Sequence, residues 1–239
     1  MKIALISGTS GLVGMQLLHQ LLKNSEYSFI VSVGRRKLAL KHEKFVQLVG
    51  DMSYIDSWDW QTRLTSQSLG GEYNFLRDAI EEKKAEIHAF CALGTTIKQA
   101  GSQEKFYAVD HDFVIAFTKL AKKLGAKKLL YVSALGADPT SSVYYNKVKG
   151  EVEVDLKAFQ FDYLGLFRPS LLLGSRQEFR FGEEIAKIVT KPLVWLKLWK
   201  SMRPIHDYQV AKAMVKRALE GKNQSPEIIT SGQMQDLTA

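Results

Sequence analysis

Cysteine is almost missing from this chain: Cys91 stands alone among 239 residues. A lone thiol excludes an intramolecular disulfide and every metal site built from several cysteines. It suits a reducing compartment, so a cytoplasmic location is expected. Proline occurs only five times and charge is spread evenly, leaving no linker or low-complexity segment. No internal repeat of the solenoid kind occurs. The opening apolar run extends only from Ile3 to Ile6 before glycines begin, too short for the core of a secretion signal. No stretch of about eighteen apolar residues exists, so no spanning helix is expected. Histidine, aspartate and glutamate nowhere fall at metal-ligand spacing, and no metal is expected. His88 and His111 are isolated and read as structural or exposed.

Apolar residues and positive charge are plentiful. A hydrophobic content of 46% over this length supplies a full core, consistent with one α/β unit carrying a smaller appended lobe. The formal charge of +8 raises nucleic acid as a partner. However, the lysines fall in dispersed pairs (Lys83 and Lys84, Lys122 and Lys123, Lys127 and Lys128) near expected helix ends. There they face solvent and complement helix C-terminal dipoles. No recognised module accompanies the charge, so no nucleic acid is expected, and an anionic ligand accounts for part of the excess.

Hydrophobic periodicity predicts strands at 2–6, 29–33, 45–49, 86–91, 129–133 and 163–167. Helices are expected over 12–23, 72–83, 104–124 and 143–158, with 53–71 a loop containing a short helix. A last helix at 207–220 and a short strand at 227–230 close the chain. Strands alternating with helices mean a parallel sheet covered on both faces. The fold class is therefore α/β, a Rossmann-type doubly wound parallel sheet with a small C-terminal substrate lobe. Residues 1–168 form mainly the nucleotide-binding core and 169–239 mainly the lobe and the closing helix and strand. The strand order is not legible, and the Rossmann order is the default.

"SGTSGLVG" (7–14) joins the first strand to the first helix. Gly8, Gly11 and Gly14 give the spacing GxxGxxG: one for a tight turn, one for close approach of a pyrophosphate, one for helix–strand packing. The helix N-terminus presents unpaired N–H groups and a positive dipole to phosphate. Thr9, Ser10, Leu12 and Val13 belong to the same cradle. The alternative is a tight turn without ligand; a strand before it and an apolar-periodic helix within it favour dinucleotide binding. Where a carboxylate would hold the ribose 2′-hydroxyl of NAD, the sequence has Arg35 and Arg36. Guanidinium groups suit the additional phosphate of NADP, which is the expected cofactor. Asp51 and Met52 follow the third strand, where a carboxylate and a thioether suit the edge and face of an adenine. Leu93, Gly94, Thr95 and Thr96 follow the fourth. Simple capping by Asp51, Thr95 or Thr96 is the plainer alternative.

Taken with "AGSQEKFYAVDHDFV" (100–114), "LLYVSALGAD" (129–138), "YYNKVKGEVE" (144–153), "FRPSLLLG" (167–174) and "RPIHDYQVAKAM" (203–214), these motifs resemble an atypical or extended short-chain dehydrogenase/reductase. Within that superfamily, they are similar to the small NADP-binding group that includes the human HIV Tat-interacting protein. The resemblance implies hydride exchange with a carbonyl or alcohol. Tyr145 would be the acid/base, Lys149 would hold the nicotinamide ribose and favour the tyrosinate, Ser133 would orient the substrate oxygen, and Pro169 would lie beside the nicotinamide. A phenol with a pKa of about 10 needs a neighbouring cation to act as a base at neutral pH, and an i,i+4 spacing puts Lys149 on its helix face. Tyr144, off that face, is read as packing. Many relatives carry an asparagine in the fourth helix for a proton relay; this chain has Asp110.

Beyond Pro169, Arg176, Phe179, Arg180, Phe181 and the segment 192–203 are expected to wall an apolar or carbonyl-bearing substrate. Trp195 and Trp199 suit packing within the lobe, with a dimer patch or interfacial belt as alternatives. A homodimer or protein partner stays open. Two further readings compete with the oxidoreductase: an NADP-binding regulatory or assembly protein with vestigial chemistry, and an epimerase or dehydratase using bound NADP transiently.

Overall fold

A computed structural model describes residues 1–66, 72–174, 202–220 and 225–239. Its centre is a seven-stranded, wholly parallel sheet. The strands are β1 (Lys2–Ser7), β2 (Tyr27–Gly34), β3 (Phe45–Val49), β4 (Glu86–Cys91), β5 (Lys128–Val132), β6 (Tyr163–Arg168) and β9 (Glu227–Thr230). They lie in the order β3-β2-β1-β4-β5-β6-β9. The Rossmann order therefore holds, with β9 added beside β6. A two-stranded pair, β7 (Leu172–Leu173) and β8 (Ile205–His206), stands apart.

Side chains of consecutive strand residues point to opposite faces, and here both faces are buried. Ile3, Leu5, Ile87, Ala89, Cys91, Leu129 and Tyr131 pack on one side, with Val114, Phe117 and Leu120 of helix α6 (Phe113–Lys123) and Val152 and Leu156 of α7 (Tyr144–Ala158). Ala4, Ile6, Ile30, Phe90, Leu130 and Phe167 pack on the other. That second face is covered by α1 (Leu12–Lys23), α8 (Asp207–Glu220) and α9 (Ser231–Thr238). The closing helix and strand are thus part of the sheet layers. What remains for a lobe is confined to the stretch between Pro169 and β8. The expected substrate-wall residues Arg176, Phe179, Arg180, Phe181, Trp195 and Trp199 lie outside the described residues.

Elsewhere the periodicity places the elements to within a residue or two, with three differences. The loosely assigned 53–71 contains a 3-10 helix, Met52–Ser57, and α2, Trp60–Ser66. Trp58 and Trp60, 5% and 6% exposed, belong to the core. α9 was not anticipated: its turn residues Ser231 and Gly232 read as a chain end, yet Thr230 and Gln233 form a capping box that starts a helix. The helix expected over 104–124 is instead α5 (Gln103–Tyr107), a π-helical turn (Ala108–Asp112) and α6, preceded by the short α4 (Ile97–Ala100). Apolar periodicity does not register the extra residue of a π turn, and such turns recur at functional sites. α3 (Glu72–Glu81) leads into β4.

Cys91 ends β4 with no exposed surface. Burial pushes its thiol up to about 12, which lowers the thiolate fraction at mildly alkaline pH roughly a thousandfold below that of an ordinary exposed cysteine. Modification by an aromatic disulfide reagent at pH 8 is therefore expected to follow global unfolding, accelerating with urea in parallel with loss of circular dichroism. Rapid stoichiometric labelling without denaturant would contradict this burial.

Candidate active site

The strand register brings the functional turns to one edge. Ser7 pairs with Cys91, and Cys91 with Tyr131, so β1, β4 and β5 end level. The turn after each emerges at the carboxyl edge of the sheet, where ligands bind in open α/β folds.

At the first of these turns, Gly8 has φ of 89°, and a Cβ there would lie 2.4 Å from the backbone of Ala92. A Cβ on Gly14 would lie 2.0 Å from the Gly8 carbonyl oxygen. Only glycine lets the turn, the β4 loop and α1 pack this closely. Gly11 N-caps α1 without any side-chain cap, leaving first-turn N–H groups for an anion. Thr9 is buried and shares a 3.1 Å hydrogen bond with Ser32 of β2, Ser10 is exposed, and Leu12 and Val13 are buried. Within this cradle Thr9 and Val13 are supports, and Ser10 and the backbone N–H groups are what a ligand can meet. The uncapped cradle fits the pyrophosphate of a dinucleotide.

Arg35 and Arg36 are exposed at the end of β2. The Arg35 guanidinium lies 5.8 Å from the Phe113 ring centroid. Asp51 receives the Ser53 N–H at 2.9 Å as the cap of the 3-10 helix. That bond, and to a smaller extent Arg35, holds its carboxyl below the usual range. Met52 is a correction: its side chain is 1% exposed and joins the core. The 3-10 helix turns it inward beside Ile55, leaving no thioether surface to cover an adenine. Leu93, Gly94, Thr95 and Thr96 are all half-buried. Thr96 caps α4 by accepting the Gln99 N–H at 3.1 Å, so for this residue the plainer reading holds.

Beneath the β4 turn lies a buried polar cluster. The π turn directs Asp110, which has no exposed surface, at Lys149 of α7, which is 3% exposed; their charged atoms are 2.9 Å apart. Asp110 also accepts the Thr95 N–H at 2.7 Å, and Lys149 donates to the Tyr131 hydroxyl at 3.1 Å. Burial pushes the Lys149 amine down, but the Asp110 carboxylate, with smaller contributions from Tyr131 and Tyr145, more than offsets it, leaving it well above the ordinary lysine range. Tyr145 is half-buried, packs on Phe106 at 5.8 Å between centroids, and is close enough to act on Lys149. Tyr144 donates to the Gln103 carbonyl at 3.3 Å and packs on Phe106, in line with a packing role.

Ser133 belongs to a different network. Its hydroxyl, on a residue 3% exposed, donates to Glu153 of α7 at 2.5 Å. Glu153 in turn is gripped through both oxygens by Arg168, at 2.9 and 2.5 Å. Pro169 follows, buried, and its carbonyl accepts the Leu135 N–H. Sequence reasoning missed Glu153, Arg168 and Tyr131. A signal existed: positions 145, 149 and 153 share a face of α7 with Val152 and Leu156, so two charged residues stand on a buried stripe. His88 is buried between Tyr27 and Glu86, and His111 bridges Asp112 and Asp155. No metal-holding group occurs among the described residues.

With this geometry in view, known proteins supply the family. The chain is 35% identical to HTATIP2 of Rattus norvegicus over 189 residues, 78% of this chain and 69% of that protein. It is 30% identical over 237 residues to the mitochondrial protein FMP52 of Kluyveromyces lactis, covering 97% and 96% of the two chains. The chain belongs to the family of the HTATIP2 and FMP52 proteins. No protein-family model matches it. Among solved structures, a UDP-glucose 4-epimerase of Thermotoga maritima superposes with TM-score 0.61 at 16% identity, covering 100% of this chain and 82% of that one. A short-chain dehydrogenase family protein of Francisella tularensis gives 0.59 at 15%, covering 98% and 99%. These superpositions establish the Rossmann-type α/β fold.

The relatives also correct an expectation. FMP52 proteins are named mitochondrial, which overturns the cytoplasmic location read from the lone cysteine. A single buried thiol has no partner to oxidise with in any compartment, so it carries no address. No helix among the described residues is long and apolar enough to cross a membrane.

Gly14→Ala is expected to destabilise the protein by more than about 2 kcal/mol, since backbone must move to admit the methyl group. Gly34→Ala, where a Cβ meets nothing within 4 Å, is the control, with a change within about 0.5 kcal/mol. Urea unfolding of both variants checks this, and equal losses would refute the packing constraint.

Proposed function

We propose that this protein is an NADP-dependent oxidoreductase acting on a carbonyl or alcohol, with Tyr145 as the proton-transferring residue. The observation that supports this reading is Tyr145 one turn before Lys149 on α7, with Lys149 under the β4 turn, its Nζ 3.6 Å from where a Cβ on Gly94 would stand. A nicotinamide cofactor, when bound, supplies or accepts the hydride. Gly8, Gly11 and the first turn of α1 hold its pyrophosphate. The exposed Arg35 and Arg36 receive the phosphate that separates NADP from NAD. In reduction, the Tyr145 hydroxyl gives its proton to the substrate oxygen, leaving a phenolate that solvent reprotonates; oxidation runs the same transfer backwards. An ammonium has three N–H donors. At Lys149, Tyr131 receives one of them and Asp110 faces the ammonium as an ion pair, and a further donor is assigned to the nicotinamide ribose. The names of the FMP52 relatives support a mitochondrial setting for this activity.

One observation favours a second reading, an NADP-binding regulatory or assembly protein with little catalysis. The Ser133 proton is committed to Glu153, so Ser133 serves a substrate only by breaking that bond. It is therefore left out of the essential machinery proposed here.

With NADPH and a panel of apolar aldehydes and ketones, Tyr145→Phe is expected to lower kcat/KM by at least about a hundredfold, the scale of general acid catalysis. Ser133→Ala should cost less than about tenfold, because its hydroxyl mainly completes a structural network. Unchanged turnover in Tyr145→Phe removes the mechanism. A loss in Ser133→Ala equal to that in Tyr145→Phe restores the serine to the chemistry.

In fluorescence titrations, wild type should prefer NADPH, and Arg35→Ala/Arg36→Ala should weaken NADPH binding about tenfold or more while sparing NADH, since charge-assisted hydrogen bonds are worth about 1.5–3 kcal/mol. Equal affinity of wild type for both cofactors would overturn the phosphate assignment. Tight NADPH binding with no turnover across the panel would select the second reading.

A further inference from the structure

Lys149 favours the ionised form of Tyr145 only to the extent that its positive charge is unopposed. In this protein that charge is opposed at 2.9 Å by a carboxylate with no access to water. Two groups of positive character converge on Asp110, the Lys149 ammonium as an ion pair at one oxygen and the Thr95 N–H donating to the other, the arrangement that suits an ionised carboxylate. Gly94 lies over the pair: a Cβ there would stand 3.3 Å from Asp110 Oδ1 and 3.6 Å from Lys149 Nζ. The pair is thus fixed from above by the β4 turn and from the side by the π turn.

We propose that Asp110 is a positioning residue that neutralises Lys149 at the active site, keeping Tyr145 in its phenol form near neutral pH and setting the protein up for carbonyl reduction over alcohol oxidation. The proposal deepens the oxidoreductase reading and rests on it for its catalytic consequence, though not for its electrostatics. The surroundings leave Asp110 as the opposing charge. β5 contributes the Tyr131 phenol and β4 the Cys91 thiol, both neutral hydroxyl- or thiol-type groups buried beside the pair. α5 contributes the apolar Phe106 ring. Further along α7, Glu153 is already gripped by Arg168 and Ser133, and Glu104 and Glu151 act on the neighbouring Tyr144. With a neutral amide at position 110, the ammonium acts on Tyr145 without compensation. With the carboxylate present, the pair carries no net charge and its effect on the phenol is that of a short dipole. The phenol is then the form present at neutral pH, able to protonate the alkoxide oxygen that hydride addition to the carbonyl creates, whereas alcohol oxidation needs the phenolate that alkaline conditions supply.

The test is a pH titration of the full-length protein labelled with ζ-13C tyrosine and followed by NMR, with the Tyr145 signal assigned by its loss in Tyr145→Phe. Asp110→Asn retains a carbonyl oxygen for the Thr95 N–H, removes the charge, and turns an amide NH2 in place of an oxygen toward Lys149. Its Tyr145 titration is expected to move down by about one unit or more, a tenfold rise in phenolate fraction at fixed pH, the scale set by one charge at short range. No movement, or movement upward, overturns the proposal. Should Asp110→Asn fail to fold around an unpaired ammonium, Asp110→Asn/Lys149→Met removes both charges. Its Tyr145 titration is expected within about half a unit of wild type, and a rise of one unit or more would mean that Lys149 acts unopposed and that the proposal is wrong. Neither outcome depends on turnover. A downward shift in a protein that reduces no substrate rejects the oxidoreductase reading alone, and an absent shift in an active enzyme rejects the role of Asp110 alone.

Discussion

A lysine ammonium and an aspartate carboxylate, both withdrawn from water at the carboxyl edge of the sheet, are the constraint around which the rest of the site is arranged. Removing two charges from water is expensive, and mutual attraction repays it only with good geometry and satisfied remaining donors and acceptors. Asp110 and Lys149 approach that condition: Thr95 donates to one carboxylate oxygen, the other faces the ammonium at 2.9 Å, and Tyr131 accepts from the ammonium. Each partner is carried by a different element: the π turn, α7, the β4 turn and β5. None of these can move independently without leaving a buried charge exposed to an apolar core. The pair therefore works as a cross-brace that locates α7, and with it Tyr145, relative to the turn Leu93–Thr96.

The same helix face carries a second buried charge one turn later. Lys149 and Glu153 have the spacing of an ordinary i,i+4 ion pair, yet each finds its partner elsewhere, Lys149 on the π turn and Glu153 on Arg168 of β6. Cross-pairing ties α7 to both neighbours at once, where an internal pair would tie it to neither. It also consumes Ser133, whose hydroxyl completes the Glu153 shell.

This explains which parts of the molecule were legible in the sequence. The sheet was legible because parallel strands buried on both faces read as apolar runs such as Ile3–Ile6 and Leu129–Val132, and because the glycines at 8, 11 and 14 fall between an apolar strand and an apolar-periodic helix. That Tyr145 and Lys149 share a face of α7 was legible from their spacing; the roles expected of them came from the resemblance. The roles of Ser133 and Met52 were not, since a serine at a strand end looks alike whether its proton faces a ligand or Glu153, and Met52 looks alike above or below the 3-10 helix. The π turn was invisible because one extra residue leaves apolar periodicity almost unchanged while re-aiming everything at its centre. Asp110 was visible as a departure from the relatives' asparagine, but its meaning required knowing that Lys149 faces it.

The fold itself does not select a chemistry. An epimerase and a dehydrogenase family protein superpose on this chain comparably, at 0.61 and 0.59, with only 16% and 15% identity. Function on a shared scaffold lives in the site, and here the site differs from a simple tyrosine–lysine couple by one buried negative charge. That charge cannot be an incidental surface substitution: it sits where an unpaired carboxylate would be expelled or protonated, and it is kept by a main-chain N–H from the very turn that borders the expected nicotinamide position. The proposed chemistry and the stability therefore share one contact: a change at position 110 alters how firmly α7 is held and, on the reading proposed above, how readily Tyr145 parts with its proton.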